Sequence, residues 1–259
     1  MTVEIRTTDE ERFYKAEDGE EVPSVTTILS VIDKSGPLVP WAVKTTCDYI
    51  QQEVTEAGKI AAVALDEQEI TGIIDKARKE ATRIKEEAGD MGTLIHLAIQ
   101  EWAEAMIKGE EVFFVHFDSP RMQAAWEAFE SFAEKHRLEP IKSELRMVHQ
   151  AQRYGGMIDL IATIRERDGT PKRLLIDIKS SNHFLEIPHG PQVAAYAAML
   201  PPKSLEGIAV LRLDKKTGEP DFHLLTERQE DYLSVFKGAQ TLWKSLQAIK
   251  SGRKKGKKK

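Results

Sequence analysis

The sequence predicts an α/β fold: a central mixed β-sheet flanked by helices, preceded by a helical N-terminal half. Three observations predict it. Between residues 139 and 226, runs rich in β-branched residues follow the order β-β-β-α-β-β. Residues 24–135 instead carry apolar positions at helical spacing behind helix-start residues. A last periodic stretch, from about Glu227 to Ile249, closes the chain as a helix. The 259 residues suffice for one large core. They read as a single domain over 1–250: a mainly helical part at 1–138, a sheet core at 139–226 and a closing helix at 227–250. Residues 251–259 read as a basic disordered tail.

Taken in order, residues 12–22 form a short hairpin with Asp18-Gly19 as its turn. Ser24 caps a short helix over Val25–Val31. The stretch from Pro37 to about Gly58 is helical after Pro40, with Trp41 on its apolar side. A polar helix runs from Asp66 to Glu87 and stops at Ala88-Gly89; a second spans Thr93 to Lys108. Another follows from Pro120 to Lys135. Strands are predicted at 141–150, 156–164 and 172–180, with Asp168-Gly169 turning the second hairpin. A helix over Pro191–Leu200 starts on its proline. Strands at 207–213 and 221–225 precede the closing helix.

Composition narrows the chemistry. Hydrophobic residues at 41% and charged residues at 31% describe a globular protein, and no apolar run reaches the roughly eighteen residues of a membrane span. The charged Met1–Glu11 stretch is unlike a signal peptide, so a cytoplasmic location, with no membrane partner, is expected. The single Cys47 excludes an intrachain disulfide and an all-cysteine zinc or iron–sulfur site. Metal ligands would then be carboxylates, histidines and backbone oxygens, which suit Mg²⁺ or Mn²⁺. Net charge is −5, yet residues 253–259 carry six cations, so the rest is more acidic still. An acidic body does not coat a polyanion, but a narrow basic track to a metal-loaded site is compatible with it. The tail either adds loose attraction to phosphates or only solubilises.

The chemistry-bearing residues start with Asp177-Ile178-Lys179. On a strand, residues two apart share a face, so Asp177 and Lys179 project together. A carboxylate beside an ammonium suits metal-assisted attack on phosphorus, although for the triplet taken alone a surface ion pair is the favoured reading, since 42 acids make chance matches common. The context is more telling: the pair ends the apolar run Leu174-Leu175-Ile176, and Asp159 interrupts another apolar strand after Gly155-Gly156. Two inward carboxylates on linked strands repel unless protonated or bridged by a cation; the plainer alternative has Asp159 capping a bend. His96 lies one turn into an apolar helix, as a ligand or as a satisfied core histidine. Gln192 and Tyr196 stand four apart on the following helix, placed to bond phosphate or hold the lysine, or simply to pack.

In this order, His96, Glu144, Gly156-x-x-Asp159, Asp177-x-Lys179 and Gln192-x-x-x-Tyr196 resemble the RecB-like branch of the PD-(D/E)XK nuclease superfamily. Pro23-Ser24-Val25-Thr26-Thr27 followed by Leu38-x-x-Trp41 is similar to its phage and mitochondrial genome-maintenance exonuclease members, and the resemblance spans about residues 20–200. It implies a restriction-endonuclease-like core. It also implies roles: Asp159, Asp177, His96 and the backbone carbonyl of Ile178 as ligands of one or two Mg²⁺ or Mn²⁺ ions. Lys179 would orient or help deprotonate water, and Glu144 would support the metal or a second ion. Gln192 and Tyr196, and more weakly Ser24 and Thr26, would contact nucleic acid. Cys47 alone cannot hold the iron–sulfur cluster of some relatives.

The expected function is therefore a stand-alone metal-dependent DNA exonuclease, acting on single strands or duplex ends and leaving 5′-phosphates. A phage recombination or replication setting, in a host cytoplasm, is implied by analogy, with partners unknown. A structure-specific endonuclease and a non-cleaving nucleic-acid-binding module are the alternatives. The helical half is expected to roof the strand, with Arg78, Lys79, Arg83 and Lys85 as candidate phosphate contacts or as a solvated face paired with Glu80, Glu86 and Glu87.

Overall fold

The computed structural model describes residues 4–7, 11–32, 35–60, 66–112, 115–166 and 168–256. The described chain divides into two compact units, Met1–Ile32 with Leu94–Lys259, and Asp33–Thr93. No described helix is long and apolar enough to cross a membrane.

The larger unit begins with a three-stranded antiparallel sheet of β1 (Ile5–Thr7), β2 (Arg12–Lys15) and β3 (Glu21–Pro23). The predicted hairpin is β2–β3, and Gly19 turns it at φ 83°, a conformation that costs glycine nothing. Helix α1 (Val25–Leu29) follows, capped by Ser24, whose hydroxyl accepts from Thr27 N at 2.9 Å.

The smaller unit holds α2 (Ser35–Ile60) and the first part of α3 (Glu67–Lys108). Helix α2 begins ahead of Pro40 instead of after it. Helix α3 runs unbroken through Ala88-Gly89, where two helices were expected. A mid-helix glycine costs only about 1 kcal/mol. The surrounding turns offset it: Arg83 bridges Glu80 and Glu87, and Thr93 Oγ1 bonds Gly89 O at 3.1 Å. Without a proline, nothing stops the helix there.

After α4 (Pro120–Lys135), the strands β4 (Glu139–His149), β5 (Tyr154–Arg165), β6 (Pro171–Lys179), β7 (Gly207–Leu213) and β8 (Pro220–Leu224) form one sheet in that order. Only β6 and β7 are parallel. A parallel step needs a crossover, and α5 (Glu186–Ala197) lies within it. The sheet is mixed, as predicted. Helix α6 (Gln229–Gly256) closes the chain. It extends to Gly256, into the stretch expected to be disordered; residues 257–259 of that tail lie outside the described residues.

Side-chain alternation distributes the core over both faces. Ile208 and Val210 pack with Val193 and Ala194 of α5, Ile28 of α1 and Phe236 of α6. Leu211 pairs with Phe222, whose ring meets Phe132 of α4 at 4.9 Å on the opposite face. The sheet is thus covered by helices on both sides, which is why β6 and β7 read as near-continuous apolar runs.

Candidate metal centre

Antiparallel pairing of β5 with β6 stops at Leu160↔Ile176. Asp159 and Asp177 stand one residue beyond, where the two strands part. The Ile178 N–H there bonds a side chain instead of a carbonyl: it donates to Asp159 Oδ2 at 2.8 Å. On the other side of β5, Ser143↔Leu160 and Leu145↔Ile158 bracket Glu144, which therefore falls opposite Asp159. Glu144 adopts φ 48° inside a strand. The left-handed region costs a non-glycine residue roughly 1–2 kcal/mol, and such strain persists where surroundings impose it. It turns Glu144 to meet Asp159 and, from α3, His96.

One ligand atom from each of His96, Glu144 and Asp159 lies within 4.8 Å of the others, and His96 Nδ1 stands 3.7 Å from Asp159 Oδ2. Two donors on opposite sides of a small divalent cation are separated by about 4.2 Å, twice a bond of roughly 2.1 Å. The 3.7 Å pair fits that span, and no pair exceeds it by more than about 0.6 Å. Burial, with Asp159 next, pushes the Glu144 carboxyl up to about 7; His96, Arg146 and Arg12 pull the other way. Crowded acids that resist ionisation together are what a cation relieves.

A second set adjoins the first. Asp177 is almost fully buried, at 1% exposure. Its Oδ1 accepts from Gln192 Nε2 at 2.9 Å, and the same nitrogen donates to the Tyr196 hydroxyl oxygen at 3.2 Å. Lys179 Nζ lies 2.7 Å from Oδ2. Buried Oδ2 therefore has that ammonium as its partner. Burial, and secondarily Asp159, hold the Asp177 carboxyl above the usual carboxylate range against the pull of Lys179. For Lys179, burial favours the neutral amine, but Asp177 and Asp159 outweigh it and keep the ammonium above its ordinary value.

The structure thus brings His96, Glu144 and Asp159 into one group, and Asp177, Lys179, Gln192 and Tyr196 into a neighbouring network. Asp177 is not in the three-ligand group, and the Ile178 contact seen is its N–H on Asp159. Gln192 and Tyr196, expected to reach nucleic acid or to hold the lysine, are buried at 8% and 5% and serve the carboxylate of Asp177 instead. The apolar face of α5 packs on the sheet, and this pair goes in with it. Ser24, also expected to touch phosphate, is buried with its hydroxyl spent on Thr27 and Thr26; Thr26 is exposed.

Sequence reasoning missed three contributors. Arg12 and Arg146, both exposed, stand beside Glu144, and buried His189 faces Asp177. The Gly155-Gly156 pair was the available signal for the first two. A Cβ on Gly155 would sit 2.5 Å from the Tyr14 ring, which brings β2 and its Arg12 against β5; one on Gly156 would be closer still to the Tyr196 ring. A cavity of about 450 Å³ lined by His136, Lys172 and Phe222 lies at the other end of β5 and β6, and no candidate site residue lines it.

The family model of the PD-(D/E)XK nuclease superfamily matches residues 68–255. No curated protein matches the chain. Among solved structures, the crystal structure of SSO0001 aligns at 16% identity with a TM-score of 0.26, covering 46% of this chain. The chain spans 57% of the length of that relative.

Proposed function

The chain belongs to the PD-(D/E)XK nuclease superfamily, whose members are nucleases that use divalent metals, and from that premise we propose a Mg²⁺- or Mn²⁺-dependent DNA exonuclease. It acts on single strands or duplex ends and leaves 5′-phosphates. One observation carries the reading: His96, Glu144 and Asp159, from α3, β4 and β5, converge with ligand atoms within 4.8 Å of one another.

His96, Glu144 and Asp159 would hold the ion, with Asp177 Oδ2, paired to Lys179 at 2.7 Å, as the adjacent carboxylate oxygen. A divalent cation there would acidify water and neutralise charge building on the phosphate. The chain's own residues do the rest. The Ile178 N–H fixes the Asp159 carboxylate, and Gln192 fixes that of Asp177. Lys179 donates to a phosphate oxygen, or orients or helps deprotonate the attacking water. Arg12 and Arg146, exposed next to Glu144, are placed to contact flanking phosphates. Hydrolysis joins a water oxygen to phosphorus and breaks the P–O3′ bond, which leaves a 5′-phosphate on the downstream product and, once O3′ takes a proton, a 3′-hydroxyl on the upstream one.

The test is cleavage of end-labelled linear DNA, single- and double-stranded, beside closed circles of each, with Mn²⁺, Mg²⁺ or EDTA. Mononucleotides or short oligonucleotides from linear substrates alone are expected. Cleavage of circles would replace exonuclease by endonuclease action. Binding with no metal-dependent cleavage of any substrate would leave a non-cutting module and end the proposal.

A further inference from the structure

We infer that the helical unit carries a binding site for single-stranded nucleic acid, in the cleft between Tyr49 of α2 and the Lys76–Arg83 face of α3. The ligand class rests on the nuclease reading; the site itself does not. Tyr49, Lys76, Lys79, Glu80 and Arg83 line an open cleft of about 330 Å³, at the small end of ligand sites, which run roughly 300–1,000 Å³. Lys76, Lys79 and Arg83 are spaced three and four residues apart, so they share one side of the helix.

Ion pairing divides these cations into two kinds. Arg83 is committed: its Nη2 and Nε bond the two Glu80 oxygens at 2.6 and 2.8 Å, and Nη1 reaches Glu87. Arg78, next to Lys79, is committed to Asp75 at 3.0 Å. These two sequence-predicted phosphate contacts are therefore spent within the helix. Lys76 and Lys79 are exposed, and neither has a carboxylate partner among the described residues. Of the acids facing Tyr49, Glu80 is neutralised by Arg83, and Glu53 stands on α2 itself.

The cleft thus offers a half-buried phenol ring beside two uncommitted ammoniums. An unpaired nucleotide presents the complement: a base face that stacks on an aromatic ring, and a phosphate on either side for the cations. A duplex keeps its base faces inside its own stack and leaves the ring nothing to hold.

The experiment uses the full chain in EDTA, where metal-dependent cleavage is off, and reads the anisotropy of a labelled oligothymidylate across a salt series. Tyr49→Ala is expected to weaken binding about tenfold, the size of one base–aromatic stack, while Tyr49→Phe binds normally. Lys76→Gln with Lys79→Gln is expected to lower the slope of log affinity against log salt by about 1.4, or about 0.7 for each phosphate released from contact. A duplex of the same length should not distinguish Tyr49→Ala from the parent. Unchanged affinity and slope would overturn the site, as would equal Tyr49→Ala losses on both DNAs. Far-UV circular dichroism guards against misfolding; if Tyr49→Ala loses helicity, the exposed lysine pair decides alone. Cleavage with Mn²⁺ is read separately. A protein that cuts without these effects loses only this site, and one that shows them without cutting loses only the nuclease reading.

Discussion

The Gln192 amide crosses from α5 to the end of β6 and bonds Asp177 Oδ1 at 2.9 Å, with Tyr196 drawing on the same nitrogen. The helix after the strand thereby holds the orientation of a buried carboxylate.

Gln192→Leu keeps the volume but removes the donor, leaving a buried acid oxygen unmatched. A stability loss of about 1–3 kcal/mol is expected, read as a lower urea midpoint, with reduced cleavage. An unchanged midpoint and full activity would show that Asp177 needs no such support.

Asp159→Asn removes one ligand charge from the three-residue group. Mn²⁺ affinity by calorimetry and cleavage should each fall more than about 100-fold, beyond the cost typical of a supporting residue. Retention of both would move the metal elsewhere.

The imidazole of His96 bears on metal preference. Imidazole nitrogen is a softer donor than carboxylate oxygen, and Mn²⁺, a transition ion, accepts it more readily than Mg²⁺ does. EDTA should abolish cleavage, Mn²⁺ should restore it more fully than Mg²⁺, and His96→Asn should narrow that difference. A preference untouched by His96→Asn would place His96 outside the coordination shell.

Glu144 carries a pH signature. Its carboxyl is pushed up to about 7 in the folded protein, against an ordinary value of 4.5. Between those values the folded state keeps a proton that the unfolded chain has released. The associated stability is complete below about pH 4.5 and is lost as pH rises to about 7. The metal-free protein should therefore weaken across that window, by at most roughly 1.4 kcal/mol per pH unit and less where solvent screens the group. Glu144→Gln should flatten the profile. Urea unfolding at stepped pH without divalent ions gives the answer, and a flat parent profile would contradict the shift.

Gly156→Ala would drive a methyl into the Tyr196 ring. A cost of about 1–3 kcal/mol is expected from overpacking. A double-mutant cycle with Tyr196→Ala should recover part of it, whereas simple additivity would mean that the two do not collide.

Local patterns were legible wherever a short-range rule decides the outcome. The strand over 207–213 has its predicted bounds, and Gly19 and Gly169 turn their hairpins at positive φ. Helix α4 starts on Pro120 as read. Local rules misled where neighbouring turns outweighed a weak signal. Gly89 reads as a stop, but its cost is small against the continuing hydrogen bonds of a 42-residue helix. The exposure of a polar side chain was equally illegible, because Gln192 and Ser24 are ordinary surface residue types until the packing of their helices buries them.

Sequence by itself determined the α/β class, the order of the elements from the first strand of the large sheet to the closing helix, and the placing of Asp159 and Asp177 inside apolar strands, since burial periodicity and turn chemistry act over a few residues. Tertiary structure alone decided which acids meet. The parting of β5 from β6 and the left-handed backbone of Glu144 set Asp159 with Glu144 and His96, and gave Asp177 to Lys179 and Gln192. Those choices depend on ångström-scale separations between residues tens of positions apart, and no local propensity encodes such distances.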